Sequence, residues 1–223
     1  MSARAGTFAW VFVVAVLTLP VSTLARRGGP PQGVNGSIAS GGDSCLMCHI
    51  SLLGSGSLDI IGAPTAYAIN ETYDLTVRIT DPVQAGAGFQ ISVEDSVGQH
   101  VGTLLLTDPV NTQFNTGDAN WVNHTETGVD NAVADWAAMG DAAEYHLQWQ
   151  APAYNAGALT FWAAGNAINN DFSSSGDRIY LTSETAAFDV TSVPTVSQWG
   201  LTALTIAVLC AGTVVVRRRA MVA

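Results

Sequence analysis

Two thiols and an imidazole stand at a spacing that suits one reaction in particular. The run Ser44-Cys45-Leu46-Met47-Cys48-His49 contains Cys-x-x-Cys-His. Two intervening residues set the sulfurs so that each can add to one of the two vinyl groups of a haem, and the adjacent imidazole then reaches the iron. At average residue usage the pattern arises by chance in on the order of one in a thousand chains of this size. The spacing predicts haem c held by thioethers at Cys45 and Cys48, with His49 as the proximal iron ligand.

Three other uses of the same residues compete. An oxidising compartment would allow a Cys45–Cys48 disulfide. A thioredoxin-like redox pair would want a βαβ pattern, and none precedes the motif. Zinc would want a second cysteine pair, whereas the remaining cysteine, Cys210, stands alone in a distant apolar stretch.

An electron-transfer haem usually has a second axial ligand. The candidates are His100, His124, His146 and Met139. His146 alternates with Tyr145, Leu147 and Trp149, which puts it on the polar face of a strand. His100 closes the turn-like run Asp95-Ser96-Val97-Gly98-Gln99 and reads as exposed. His124 lies in Trp121-Val122-Asn123-His124-Thr125, whose apolar members could cover a haem edge. His124 is therefore the favoured distal ligand, and Met139, in Trp136-Ala137-Ala138-Met139, is the alternative. An iron with no sixth protein ligand is the third option. Met47 sits inside the attachment loop and cannot swing to the far face.

The elements that must position these residues read as strands. Residues 73–80 alternate Tyr73, Leu75, Val77 and Ile79 with polar neighbours. Residues 89–94 and 145–150 repeat that period, and 101–107, 158–164, 179–183 and 187–190 read as further strands. Asp81-Pro82, Asp108-Pro109, Ala151-Pro152 and Ser175-Gly176-Asp177 separate them as turns. Seven to nine strands at this spacing predict an all-β fold, an antiparallel immunoglobulin-like β-sandwich. Residues 129–143, rich in Ala and Asp, read as a short helix or an irregular loop. Gly54-Ser55-Gly56-Ser57 reads as a linker. Asn166, Asn169, Asn170, Asp171 and Asp177 form an oxygen-rich loop that could take calcium, although such clusters usually just build turns.

Both ends read as targeting segments. Residues 1–25 carry Arg4, an apolar run and Thr23-Leu24-Ala25, as a secretory signal peptide does. Residues 201–216 hold no charge, and Arg217, Arg218 and Arg219 follow at once. That is near the lower limit for a spanning helix, with the arginines inside and Trp199 at the opposite interface. The expected division is therefore 1–25 signal peptide, 26–56 Gly-rich segment with the haem motif, 57–192 β-sandwich, and 193–223 sorting motif, single transmembrane helix and Arg cluster.

Charge narrows the partners. Arg4 and the final trio lie in the terminal segments, which leaves Arg26, Arg27, Arg78 and Arg178 against 18 acidic residues, with no Lys at all. Such a surface repels nucleic acid and would steer a basic redox partner toward it. No nucleophile motif, metalloprotease helix or phosphate loop is present, so no enzyme is expected.

Two resemblances add to this. Val193-Pro194-Thr195-Val196-Ser197-Gln198-Trp199-Gly200, with the apolar stretch and Arg cluster after it, resembles the IPTL-CTERM sorting tail of Gram-negative surface proteins. Val193 and Val196 stand where Ile and Leu are usual. The resemblance implies an exosortase-type processing enzyme and residence in the inner membrane facing the periplasm, or at the cell surface after sorting. Asn123-His124-Thr125, Leu147-Gln148-Trp149-Gln150-Ala151-Pro152 and the run from Gly157 through Asn170-Asp171 to Gly176-Asp177-Arg178 resemble the reeler-like "choice-of-anchor" bacterial surface family. That resemblance implies a Cys-x-x-Cys-His ahead of a reeler-like sandwich, and its His-Thr pair favours His124. Taken together, the chain reads as an exported, membrane-anchored monohaem cytochrome-like protein moving single electrons. The alternatives are a non-catalytic surface adhesion or matrix-binding sandwich, in which the haem or a disulfide is structural, and a haem sensor or small peroxidase.

Overall fold

The computed structural model describes residues 26–50, 54–192, 200 and 202–211. The signal-peptide segment, the Pro-Thr-x-x-x-Trp motif and the arginine cluster lie outside the described residues. Among the described residues ten strands, numbered in chain order, form two sheets, ordered β1-β3-β8-β5 and β2-β10-β9-β4-β7-β6.

Alternation builds the first sheet. In β3 (Thr72–Thr80), Leu75, Val77 and Ile79 are buried between exposed or half-exposed neighbours. Its antiparallel partner β8 (Ala142–Gln150) runs from Gln150 opposite Thr72 to Ala142 opposite Thr80, and buries Tyr145, Leu147 and Trp149 on the same face. The outer strands are β1 (Ser57–Ile61) and β5 (Thr103–Leu106). The second sheet answers with Phe89, Ile91 and Val93 of β4 (Gly86–Asp95) and with Phe161 and Ala163 of β9 (Leu159–Ile168), all in one core cluster. Trp149 is the hub. It meets Phe161 edge-on at 5.0 Å, stacks on Tyr73 at 5.8 Å, and donates its indole N–H to the Val101 carbonyl at 3.0 Å. Burying each such side chain is worth about 1.5–3 kcal/mol, so the sandwich closes on protein atoms alone.

The structure departs from the expected pattern in several places. The sheets are not wholly antiparallel, because β2 (Ala66–Tyr67) pairs parallel with β10 (Arg178–Phe188). The two strands expected at 179–183 and 187–190 are one, β10, since its ladder with β9 continues through the exposed Ser183, Glu184 and Thr185. Pairing with a neighbour holds polar residues in a strand that periodicity alone would break. Gly56-Ser57 is a tight passage rather than a linker. Ser57 opens β1, the Gly56 N–H donates to the Tyr180 hydroxyl at 3.1 Å, and a Cβ on Gly56 would stand 2.0 Å from the Thr80 carbonyl.

α1 (Glu126–Asp135) begins ahead of the 129–143 stretch and makes its residues 129–135 helical. Thr125 caps it by accepting the Gly128 N–H, and Glu126 complements the helix dipole. Strands β6 (Thr112–Asn115) and β7 (Asp118–His124) complete the second sheet. At the C-terminal end, residues 202–211 are helical, with Leu204, Ile206, Val208 and Leu209 exposed. Among the described residues no helix is long and apolar enough to cross a membrane, and 212–223 lie beyond them.

Residues 26–50 form a strap along the outer face of the six-stranded sheet. This explains why β4 is buried on both faces. Gln90, Ser92 and Glu94, the face that alternation assigns to solvent, have no exposed surface. Each is bonded instead. The Gln90 side chain accepts the Val34 N–H at 2.7 Å and donates to the Pro31 carbonyl at 2.9 Å. Ser92 accepts from the Asn35 amide at 2.8 Å, and Glu94 accepts the Ala39 N–H at 2.9 Å. A buried polar row is tolerable only when it is satisfied in this way.

Candidate cofactor site

The strap delivers the Cys-x-x-Cys-His motif as a short 3-10 turn, Cys45–Met47. Ser44 caps it by accepting the Leu46 N–H, and the Cys45 carbonyl accepts the N–H of both Cys48, at 3.2 Å, and His49, at 3.0 Å. The chain is then pinned at both sides, by the Asn35–Ser44 bridge and by the parallel bridge from Ile50 to Ser175.

Cys45, Cys48, His49 and His124 all line one cavity of about 560 Å³. Small-molecule and cofactor pockets usually span about 300–1,000 Å³. His124 ends β7 and is 7% exposed. It therefore meets the motif across the strap–sheet interface, although 75 positions of sequence separate it from His49. Met139 is not among the lining residues. It follows α1 and is 41% exposed. His146 is exposed and hydrogen bonds to Thr76, as its strand position implies. His100 is half-buried rather than exposed, because its ring packs edge-on to Trp121 at 4.9 Å.

The donors differ in their electrostatics. Burial pushes the Cys45 thiol up to about 12, with a backbone hydrogen bond opposing and the neighbouring Cys48 adding to the rise. Cys45 is thus a protonated thiol at neutral pH, with Sγ 3.6 Å from the Val34 carbonyl. Burial also lowers His124 from 6.5 to about 4. Contacts with the Phe89 and Arg26 backbones oppose that fall, and the charges of His49 and Arg27 deepen it. His124 is thus a neutral imidazole. Its Nδ1 lies 2.9 Å from the Phe89 N–H and 3.2 Å from the Phe89 carbonyl. Gly88 makes room for it: a Cβ there would stand 2.6 Å from the His124 Cε1.

His49 has a different partner. Its Nδ1 lies 2.7 Å from Oδ2 of Asp177, whose side chain is 1% exposed. Asp177 was legible only as one of several oxygens in a loop. In the structure most of that loop's oxygens bond within it, while Asn170 Oδ1 accepts from Arg27 at 3.4 Å and the buried Asn166 Oδ1 has no partner. Asn169 accepts the Asp171 N–H at 3.2 Å, Asp171 accepts the Ser173 N–H at 2.8 Å, and Asp177 accepts the Asn169 N–H at 3.2 Å. Among the described residues no group of three or more His, Cys, Asp or Glu is placed to hold a bare metal ion. The donors at the cavity could instead hold a cofactor that brings its own metal ligands.

The mouth carries Arg26 and Arg27. Arg27 pairs with Asp130 and stacks over the Phe172 ring at 5.0 Å. Gly88 and Phe172 went unread in the sequence, and Asn166 was legible only as one oxygen of a turn-rich loop. Of the unread pair Gly88 alone had a signal there, since an isolated Gly in a strand marks a close approach.

Fold and site together define a class, a two-sheet β-sandwich whose N-terminal strap closes a cofactor-sized cavity against one sheet. Compared with protein-family models and with curated proteins, the sequence finds no match. Among solved structures the chain is similar to the reeler domain of human F-spondin at 17% identity and a TM-score of 0.43, covering 63% of this chain and 94% of that one. A second F-spondin structure, of its Reelin-N domain, gives the same identity and TM-score over 65% of this chain and 95% of that one. A type II cohesin domain from the cellulosome of Acetivibrio cellulolyticus is similar at 10% identity and a TM-score of 0.32, over 59% of this chain and 94% of that one.

Proposed function

We propose that the chain is an exported, membrane-anchored monohaem c-type cytochrome-like protein that passes single electrons at the periplasmic or cell surface. The observation that carries this reading is the convergence of Cys45, Cys48, His49 and His124 on one cavity. The residues fit the group. Two thiols stand two residues apart in the motif, one neutral buried imidazole lines the same cavity, and Gly88 leaves that imidazole its room. Cys45 and Cys48 would hold the haem through thioethers, and His49 would be the proximal ligand. His124 would be the distal ligand, in preference to Met139. Arg26 would be the cation for its carboxylates, with Arg27 beside it already paired to Asp130. Bound there, haem supplies a one-electron couple whose potential the axial ligands and burial set. The chain's own part is to orient the two imidazoles, exclude water along the apolar lining of Val34, Phe89 and Ile168, and offer an acidic surface to a basic redox partner. The apolar C-terminal stretch would anchor it, with an exosortase-type enzyme as processing partner.

A second reading is a non-catalytic surface adhesion or matrix-binding sandwich in which a Cys45–Cys48 disulfide or the haem is only a clip. It is favoured by a core around Trp149, Phe161 and Tyr145 that includes none of Cys45, Cys48, His49 and His124. One experiment separates the readings. The full chain is produced in a host with haem-attachment machinery and its intact mass and absorption spectrum are measured. The first reading expects a gain of one haem, six-coordinate low-spin iron, and loss of both when Cys45 and Cys48 are replaced by Ala. A colourless protein of unmodified mass overturns it and leaves the second. A high-spin iron that binds carbon monoxide would point instead to a sensor or peroxidase.

A further inference from the structure

Two imidazoles line the cavity, and the fold treats them differently. The Nδ1 of His124 faces a peptide group that offers both an N–H and a carbonyl, and the Arg26 backbone also bonds the ring, so its partners are all backbone. The Nδ1 of His49 faces a carboxylate oxygen at 2.7 Å. An ionised carboxylate only accepts, so the ring must donate from Nδ1, and a neutral ring then carries its lone pair on Nε2. Asn166 Nδ2 lies 3.3 Å from each ring nitrogen, so it is in line with neither.

The carboxylate is built in rather than incidental. Asp177 Oδ1 accepts the Asn169 N–H at 3.2 Å, and Oδ2 is also within 3.3 Å of Asn166 Nδ2. The residues on either side of Asp177 are clamped as well. The Gly176 carbonyl accepts from Gln84 Nε2 at 2.9 Å, and the Arg178 guanidinium donates to both Asp81 oxygens at 2.8 and 3.1 Å. The same loop also bonds to the residue that follows the motif, where the Ile50 N–H meets the Ser174 carbonyl at 3.1 Å. A charged acceptor held this firmly on a ligand's far nitrogen fixes its tautomer and orientation and raises its basicity.

We propose that Asp177 is a positioning residue for His49. It holds the Nδ1 proton so that Nε2 is the nitrogen free to ligate, and it lends the imidazole anionic character that lowers the reduction potential of a haem bound there. The second half rests on the haem reading, while the first does not. Asp177→Asn discriminates the role. Its amide can satisfy the Asn169 N–H only by turning its NH₂ toward His49, which then must accept at Nδ1 and carry its proton on Nε2.

The test begins with the haem-free full chain, labelled with ¹⁵N-histidine and examined by NMR at neutral pH. His49 is expected as the Nδ1–H tautomer, and Asp177→Asn is expected to shift it toward Nε2–H. In the haem-loaded protein, Asp177→Asn should raise the midpoint potential or cost the His49 ligand, as seen by electron paramagnetic resonance, and Asp177→Glu should restore part of the original value. An Nε2–H tautomer in the unmodified chain overturns the proposal whether or not any variant folds. An unchanged tautomer and unchanged potential in a folded Asp177→Asn protein overturn it too. Failure of the chain to take up haem would sink the haem reading and the potential shift, and the tautomer measurement would still decide the first half.

Discussion

The haem-free protein should lose stability in mild acid because of one buried ring. His124 falls from 6.5 to about 4 on folding, chiefly because burial disfavours its charged form. Between those values the unfolded chain binds a proton that the folded chain refuses. Stability from this group is therefore complete above about pH 6.5, falls as pH drops toward about 4, and is then level. The full loss is about 3 kcal/mol, of which about 2 kcal/mol is spent between about pH 7.5 and about pH 5. The groups facing the ring are the Phe89 and Arg26 backbones, His49 and Arg27, and none supplies a carboxylate that would hold the proton. Urea unfolding followed by tryptophan fluorescence across that range measures the loss. His124→Asn keeps an acceptor for the Phe89 N–H but does not titrate, so its stability should decline less than that of the unmodified chain by that amount. Parallel stability–pH curves for the two proteins would refute the reasoning, because they would mean that the ring is solvated in the folded state.

Three further outcomes follow from the same geometry. Gly88→Ala should cost about 1–3 kcal/mol by overpacking, since its Cβ would stand 2.7 Å from His124 Nδ1; in the loaded protein the same change should displace the distal ligand, seen as a rise in high-spin absorption. Alkylation of the folded haem-free chain by iodoacetamide should modify Cys48 before Cys45, whose burial and thiol near about 12 protect it; peptide mapping should find Cys45 slower by roughly tenfold or more until urea is added. Asp81→Asn should lower the melting temperature at neutral pH. Burial pushes the Asp81 carboxyl up, but hydrogen bonds from Tyr180, Val83 and Arg178 and the Arg178 charge outweigh that and hold it below its ordinary value. Its contribution is thus present above the ordinary carboxylate value and is lost as pH falls through the folded one, so the gap between variant and original should close in acid, as thermal scans would record.

Sequence alone determined what depends on near neighbours. The Cys-x-x-Cys-His spacing is local chemistry, and the alternation at Leu75, Val77 and Ile79 is a local period, so the motif and β3 were both legible. Elements whose stability comes from a partner strand were not. β2, β6 and β7 have weak periods, and the polar middle of β10 is held in place by β9. The alternation of β4 was correct in period but misleading in meaning. Gln90, Ser92 and Glu94 point away from the core, yet they bond to the strap instead of water, because a face is polar toward whatever covers it. The meeting of His124 with the motif, the pairing of Asp177 with His49 and the space kept by Gly88 were decided only in three dimensions. Each is a contact between segments far apart in the chain, and a contact of that kind leaves no mark on the residues between.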